Sequence, residues 1–213
     1  MLFKNMNLKK EIKKIYNQSY YLLFKDDTWK GWVFSIIFIF IFIKFIFFPT
    51  LSFITGTQIP LAIVESCSMY HKGDLLSNYD DWWKEHEQKY LEFDITKKEF
   101  QEYHFTNGFN KGDILFITGA KPEKLEVGDI IIFNGNGRPI IHRIIKIKEK
   151  DGEYTFSTIG DNNNGQLTIE KDIKSEQLIG KATFKIAPLL GWTKLIFYEA
   201  QRNPQERGFC DEN

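Results

Sequence analysis

The chain is poor in metal-binding residue types: two cysteines and four histidines among 213 residues. Cys67 and Cys210 lie far apart, and no Cys or His pair falls at metal-ligand spacing, so no metal and no cofactor is expected. A formal net charge of zero removes the basic surface that nucleic-acid binding requires, so no nucleic-acid partner is expected. There is a single long apolar run, and no small-x-small pattern follows it, which argues against a cleaved signal peptide.

That run is Gly31 to Ile54, where Lys44 is the only charged residue. As a helix it spans roughly 36 Å at ~1.5 Å per residue, enough for a ~30 Å hydrocarbon layer. Its alternating Ile/Phe text is strand-like, but a single strand cannot satisfy its backbone in lipid, so a transmembrane helix over 31–54 is predicted. Lys44 reads as a residue snorkelling to one leaflet. Residues 1–30 carry seven lysines against Glu11, Asp26 and Asp27. This basic segment predicts a cytoplasmic N-terminus, a single pass through the cell membrane and an extracellular domain.

From Pro60 onward short β-runs alternate with turns. PLAIVE (60–65), ILFIT (114–118), IIIF (130–133), PIIHRIIKIK (139–148), EYTFSTI (153–159) and IGKATFKI (179–186) all read as strands. Gly-Asp pairs at 73–74, 112–113, 128–129 and 160–161 read as turns. The fold class is therefore mainly β, an antiparallel domain over 55–190. Residues 78–110 interrupt it as a small helical insertion, with Thr96-Lys-Lys-Glu99 fitting a capping box. The insertion's aromatics either pack it onto the sheet or rest at the lipid interface. Residues 191–213 form the last segment, with Leu189–Gln201 read as an amphipathic helix.

The chemistry-bearing residues begin with Ser68, in Glu65-Ser-Cys-Ser-Met-Tyr70, directly after a buried β-run. In extended geometry Ser66 and Ser68 point the same way and Cys67 points away. One hydroxyl would then attack while the other donates to a developing oxyanion. A bond from Cys67 to Cys210 would constrain that serine, so both cysteines are expected unpaired. His142 shares a strand face with Ile140 and Ile144, where burial favours the neutral imidazole that a general base requires. Its bland alternative is a core histidine satisfied by one hydrogen bond. His86 and His104 are expected to face water, and the direction of His71 is unreadable. Asp161, in Gly160-Asp-Asn-Asn163, is either a turn-former or the acid that orients the imidazole.

Taken together, Ser66-x-Ser68-Met69, Ile141-His142-Arg143 and Gly160-Asp161-Asn162-Asn163 resemble type I signal peptidases. The His-Arg block is similar to the archaeal and endoplasmic-reticulum branch, in which histidine replaces the bacterial lysine base. Within that branch an archaeal cell suits the compact anchor. The resemblance spans roughly residues 60–190. It implies a signal-peptidase-like β domain, with Ser68 as nucleophile, His142 as general base and Asp161 as the acid. Ser66 and the Ser68 N–H would form the oxyanion hole. Substrate would lie as an added strand in a groove along Leu61, Ala62, Ile63 and Val64. The implied partners are signal-peptide-bearing preproteins, membrane lipid and the protein translocation machinery. Three departures from the family pattern stand out, one being the helical insertion of residues 78–110, which lengthens the path between the serine block and the next strand. His71 occupies the place of a usual proline, and the second acid after Gly-Asp-Asn is displaced to Glu170 or Asp172. The carboxylate that orients His142 is thus open among Asp161, Glu170 and Asp172. A catalytically silent, membrane-anchored binding or assembly module is the alternative function.

Overall fold

The computed structural model describes residues 2–72 and 75–210, with side chains described from residue 10 onward except at 75–77. The expected turn at Gly73-Asp74 lies outside the described residues. The chain divides into two compact units, Met1–Ile54 and Thr55–Asn213.

The first unit is helical. Helix α1 (Leu2–Phe24) is followed by a turn in which the Asp26 carboxylate accepts the Thr28 N–H at 2.9 Å. Helix α2 (Trp29–Phe42), a π-helical stretch (Ile43–Phe47) and helix α3 (Phe48–Thr55) then form one continuous helix of 27 residues. Its Ile and Phe side chains are exposed around the whole circumference. A helix apolar on every side needs an apolar surrounding, and this one is long enough to cross a membrane.

The second unit is a seven-stranded antiparallel sheet. Its strands are β1 (Leu61–Ile63), β2 (Ile114–Thr118), β3 (Ile130–Gly135), β4 (Arg138–Lys150), β5 (Glu153–Ile159), β6 (Ile173–Lys174) and β7 (Leu178–Ala187). Their order across the sheet is β1-β2-β7-β3-β4-β5-β6. The architecture is the mainly-β, signal-peptidase-like one expected.

Both faces of the sheet are covered, so β3 is buried along most of its length. Alternation sends Ile130 and Ile132 into one core with Val64, Met69 and Leu115. Ile131 and Phe133 enter a second core with Ile144, Phe156 and Ile173. A third cluster lies under the insertion, which forms α4 (Leu75–Leu91) and α5 (Lys97–Glu102). Tyr79, Trp82, Trp83 and Tyr90 recur at helical spacing along α4 and, with Phe93 just after it, pack in one cluster with Ile145 and Ile159 of the sheet. The insertion's aromatics are therefore packed into the protein. Thr96 and Glu99 form the reciprocal cap at the start of α5.

Two expectations are corrected here. Leu189–Gln201 is not one helix, because only Trp192–Leu195 (α6) is helical before the chain turns through Glu199–Gln201 and Pro204–Glu206. Buried Lys111 draws that segment into a compact path by bonding the Glu199 carboxylate at 3.0 Å and the Glu206 carbonyl at 2.7 Å. Cys67 and Cys210 are not unpaired; they form a disulfide.

Candidate active site

Register places the imidazole of His142. His142 pairs with Ile131 and Arg143 with Ile130, so the two neighbours point to opposite faces of β4. His142 faces the groove, where its Nε2 lies 2.9 Å from Ser68 Oγ. On the other ring nitrogen, Nδ1 is hydrogen-bonded to the Glu170 carboxylate. Both His142 and Glu170 are buried, while Ser68 is half exposed to the groove. Ser66 Oγ lies 3.1 Å from Ser68 Oγ, on the same side of the chain. Serine, imidazole and carboxylate thus line up in the order that a hydroxyl nucleophile, its base and an orienting acid would require.

Glu170 is aimed by its own short turn, Thr168–Glu170. Its second carboxylate oxygen accepts the Leu167 N–H at 2.5 Å. Gln166 bridges the carbonyls of Thr158 and Glu170, which fastens the turn to β5. Of the three acids left open by sequence, this is the one that reaches His142. Asp172 lies at the surface, paired with Lys148 at 2.6 Å.

Asp161 sits instead on the opposite side of β4. One oxygen accepts from Tyr90 Oη at 2.9 Å and Arg143 Nε at 3.0 Å. The other accepts from Arg143 Nη2 at 2.6 Å and is paired with His71 Nε2 at 2.8 Å. The expected Asp161–His142 contact is therefore replaced, because consecutive residues of one strand cannot both address the same face. Burial opposes ionisation of Asp161, but Arg143 and His71 outweigh it and hold the carboxyl far below its usual range. Arg143 is fully buried, and its remaining donors go to the carbonyls of His104, Gly128 and Phe105, each at 2.9 Å. His71 stacks on Trp82 at 4.1 Å, and burial pushes its imidazole toward the neutral form. His86, expected in water, is half-buried and stacks on Trp82 at 4.6 Å.

The Gly-Asp-Asn loop supports the turn that carries Ser68. Asn162 donates its backbone N–H to the Ser68 carbonyl at 2.8 Å and its side-chain amide to the Cys67 carbonyl at 3.0 Å. Gly160 is required by this approach, since a Cβ there would come within 2.8 Å of the Ser68 carbonyl oxygen. Sequence reasoning missed His71, Tyr90 and Asn162 as members of this support. The signal at His71 was present, as the departure from proline three residues after the serine.

The groove has a volume of about 740 Å³ and contains Leu61, Ala62, Ile63 and Val64 together with Ser66, Ser68, Ile140, Ile141 and His142. β1 is an edge strand, paired only with β2. Pro60 accepts from Ile117 of β2 and Val64 bonds Asp113 and Gly112 just before it, so by alternation the backbone groups of Leu61 and Ile63 point away from that strand. An extended peptide laid there meets unpaired donors and acceptors. Among the described residues no group of His, Cys, Asp and Glu is arranged to hold a metal ion.

Comparison with known proteins gives the same direction. No family model matches the chain. The human signal peptidase complex catalytic subunit SEC11C is 36% identical over 100 residues, which is 41% of this chain and 50% of that protein. The mouse SEC11C subunit matches to the same extent, and the Dictyostelium discoideum sec11 subunit is 33% identical over 103 residues, 43% of this chain and 54% of that protein. The chain thus spans about half the length of the curated relatives it matches. These organisms are eukaryotes, so they lend no support to an archaeal source. Over the stretch they share, the chain is a homologue of the SEC11 catalytic subunits, in line with the type I signal peptidase resemblance of its serine, histidine and Gly-Asp-Asn blocks.

Proposed function

We propose that the chain is a membrane-anchored serine endopeptidase that removes N-terminal signal peptides from exported preproteins. The observation that carries this reading is the hydrogen bond from Ser68 Oγ to a His142 imidazole whose other nitrogen is held by buried Glu170. In this mechanism His142 takes the Ser68 proton as Oγ attacks the scissile carbonyl. Glu170 fixes the tautomer and stabilises the imidazolium that forms. The Ser66 hydroxyl and the Ser68 N–H receive the oxyanion. His142 then protonates the leaving amine, and water, deprotonated by the same imidazole, hydrolyses the acyl-enzyme. The groove along β1 holds the segment before the cut as an added strand.

The continuous helix Trp29–Thr55 anchors the chain in the cell membrane, with the basic N-terminal segment on the cytoplasmic side and the β unit outside. The Cys67–Cys210 disulfide supports that orientation, since such bonds persist in oxidising compartments. Membrane lipid is thus the anchor's surrounding and preproteins are the substrates, delivered by the translocation machinery. Purified full-length protein, reconstituted in lipid and mixed with a secretory preprotein, should cut it at one site. Ser68→Ala and His142→Ala should each lower kcat by about 10⁴–10⁶-fold. Wild-type protein that binds the preprotein without cutting it would favour the silent binding module and end the peptidase reading.

A further inference from the structure

The peptide bearing the nucleophile is held from two directions, and the Gly-Asp-Asn loop supplies only one of them. The other is the chain after β7. Cys67 lies between Ser66 and Ser68 and points away from the groove, where it is bonded to Cys210. Arg202 reaches Glu65, one residue before this turn, with Nη1 on the carbonyl oxygen and Nη2 on the carboxylate, both at 3.0 Å. The tail carrying these two residues is itself fixed. Trp192 donates to the Lys111 carbonyl at 2.8 Å and fills the space over Gly112, where a Cβ would come within 2.3 Å of its ring. The Lys111 ammonium is fully buried between the Trp192 ring, the Glu199 carboxylate and the Glu206 carbonyl. Trp192 also packs on Phe209, next to Cys210. Nothing in the Ser68, His142 and Glu170 arrangement requires these contacts, yet the tail they fix ends in the two links, from Arg202 and Cys210, that reach Glu65 and Cys67.

We propose that the tail from Gly191 to Cys210 is a strap that sets the position of the nucleophile turn, with Cys210 and Arg202 as positioning residues acting on Ser68 through Cys67 and Glu65. This rests on the peptidase reading of Ser68 and His142. Its chemical consequence is sensitivity to dithiols. A dithiol passes two electrons and two protons to the Cys67–Cys210 bond, leaving two thiols and a cyclic disulfide as the oxidised product. The turn then loses one of its two restraints while Ser66, Ser68 and His142 remain intact.

The test uses full-length protein in lipid, comparing the oxidised wild type, the dithiol-reduced wild type, Cys210→Ser and Arg202→Ala in preprotein cleavage. A displaced nucleophile should lower kcat by about 10–10²-fold upon reduction or in Cys210→Ser, with KM within about twofold. Arg202→Ala should fall in the same direction by less, and Arg202→Lys, which keeps one of the two bonds, should recover part of the loss. Unchanged kcat in folded, reduced protein and in Arg202→Ala would overturn the proposal. A rise in KM alone would overturn it too, since the strap would then shape the groove and not the nucleophile. Should Cys210→Ser fail to fold, the reduced wild type and Arg202→Ala decide. Absence of cleavage by the oxidised wild type would count against the peptidase reading instead. In that event the ¹⁵N resonances of the His142 imidazole decide the strap: a shift on reduction supports it, and none overturns it.

Discussion

Two histidine–carboxylate pairs lie on opposite sides of β4, and they differ in everything except chemistry. His142 and Glu170 face the groove, with a serine hydroxyl on the free nitrogen of the imidazole. His71 and Asp161 are sealed beneath the insertion, with the imidazole flat against Trp82 and the carboxylate saturated by Arg143 and Tyr90. His71 is only three residues from Ser68 in sequence, while His142 is 74 away. Proximity along the chain is therefore no guide to which imidazole serves the serine. What separates them is the partner left over once the acid has been engaged. One pair keeps a serine hydroxyl as its neighbour, and in the other the carboxylate is taken up by the side chains of Arg143, Tyr90 and His71.

The largest break in this comparison should come from Glu170→Gln. Losing the carboxylate on Nδ1 should reduce kcat by about 10²–10⁴-fold, while the urea midpoint moves little. A preprotein assay beside an unfolding curve separates the two readouts. Asp161→Asn should do the reverse. It leaves Arg143 buried against a neutral amide, a type of loss that costs about 3–5 kcal/mol, so the urea midpoint should fall sharply. The kcat of the protein that remains folded should drop far less than for Glu170→Gln. A larger kcat loss at Asp161 than at Glu170 would exchange the two roles.

Smaller and more selective is the acid response of His71. Burial, the dominant influence, lowers its pKa, so the unfolded chain binds the proton more readily than the folded one. Its contribution to stability is complete above the unfolded pKa of about 6.5 and is lost as pH falls below that value. The sign is the same for half-buried His86, whose imidazole is also lowered by burial. His71→Gln should therefore flatten, without abolishing, the fall in stability between pH 6.5 and 5, as read from thermal melts across that range. Smallest of all is Asp172→Asn, which keeps a residue suited to the left-handed backbone there (φ 51°). Its exposed pairing with Lys148 should leave cleavage and melting temperature unchanged within error, which completes the contrast with Glu170 two residues earlier.

How much of this was legible in the sequence follows from how local each signal is. The strands ILFIT, IIIF and EYTFSTI announce themselves through apolar runs bounded by Gly-Asp turns, and they form β2, β3 and β5. Strand β6 was missed because two residues carry no periodicity. Ser68 and His142 were readable from their blocks and are brought together by the structure. The acid was not readable, because Asp161, Glu170 and Asp172 share one loop region. Their separation depends on the turn at Leu167–Glu170 folding back toward β4. The disulfide was missed for a related reason. Alternation carries Cys67 away from both hydroxyls, but nothing local in the sequence brings Cys210 back beside it. The tail read as a helix because its apolar spacing is helical, but buried Lys111 has two acceptors to collect there, and collecting both bends the chain.

The disulfide also has a consequence for the order of synthesis. Its two halves are separated by 143 residues, which include six of the seven strands. On a ribosome, Cys67 emerges long before the cysteine it must find, so the reactive turn exists untethered for most of the time the β unit is being made. Oxidative closure then becomes a late maturation event, one that can mark a completed sheet before the hydroxyl is fully aligned.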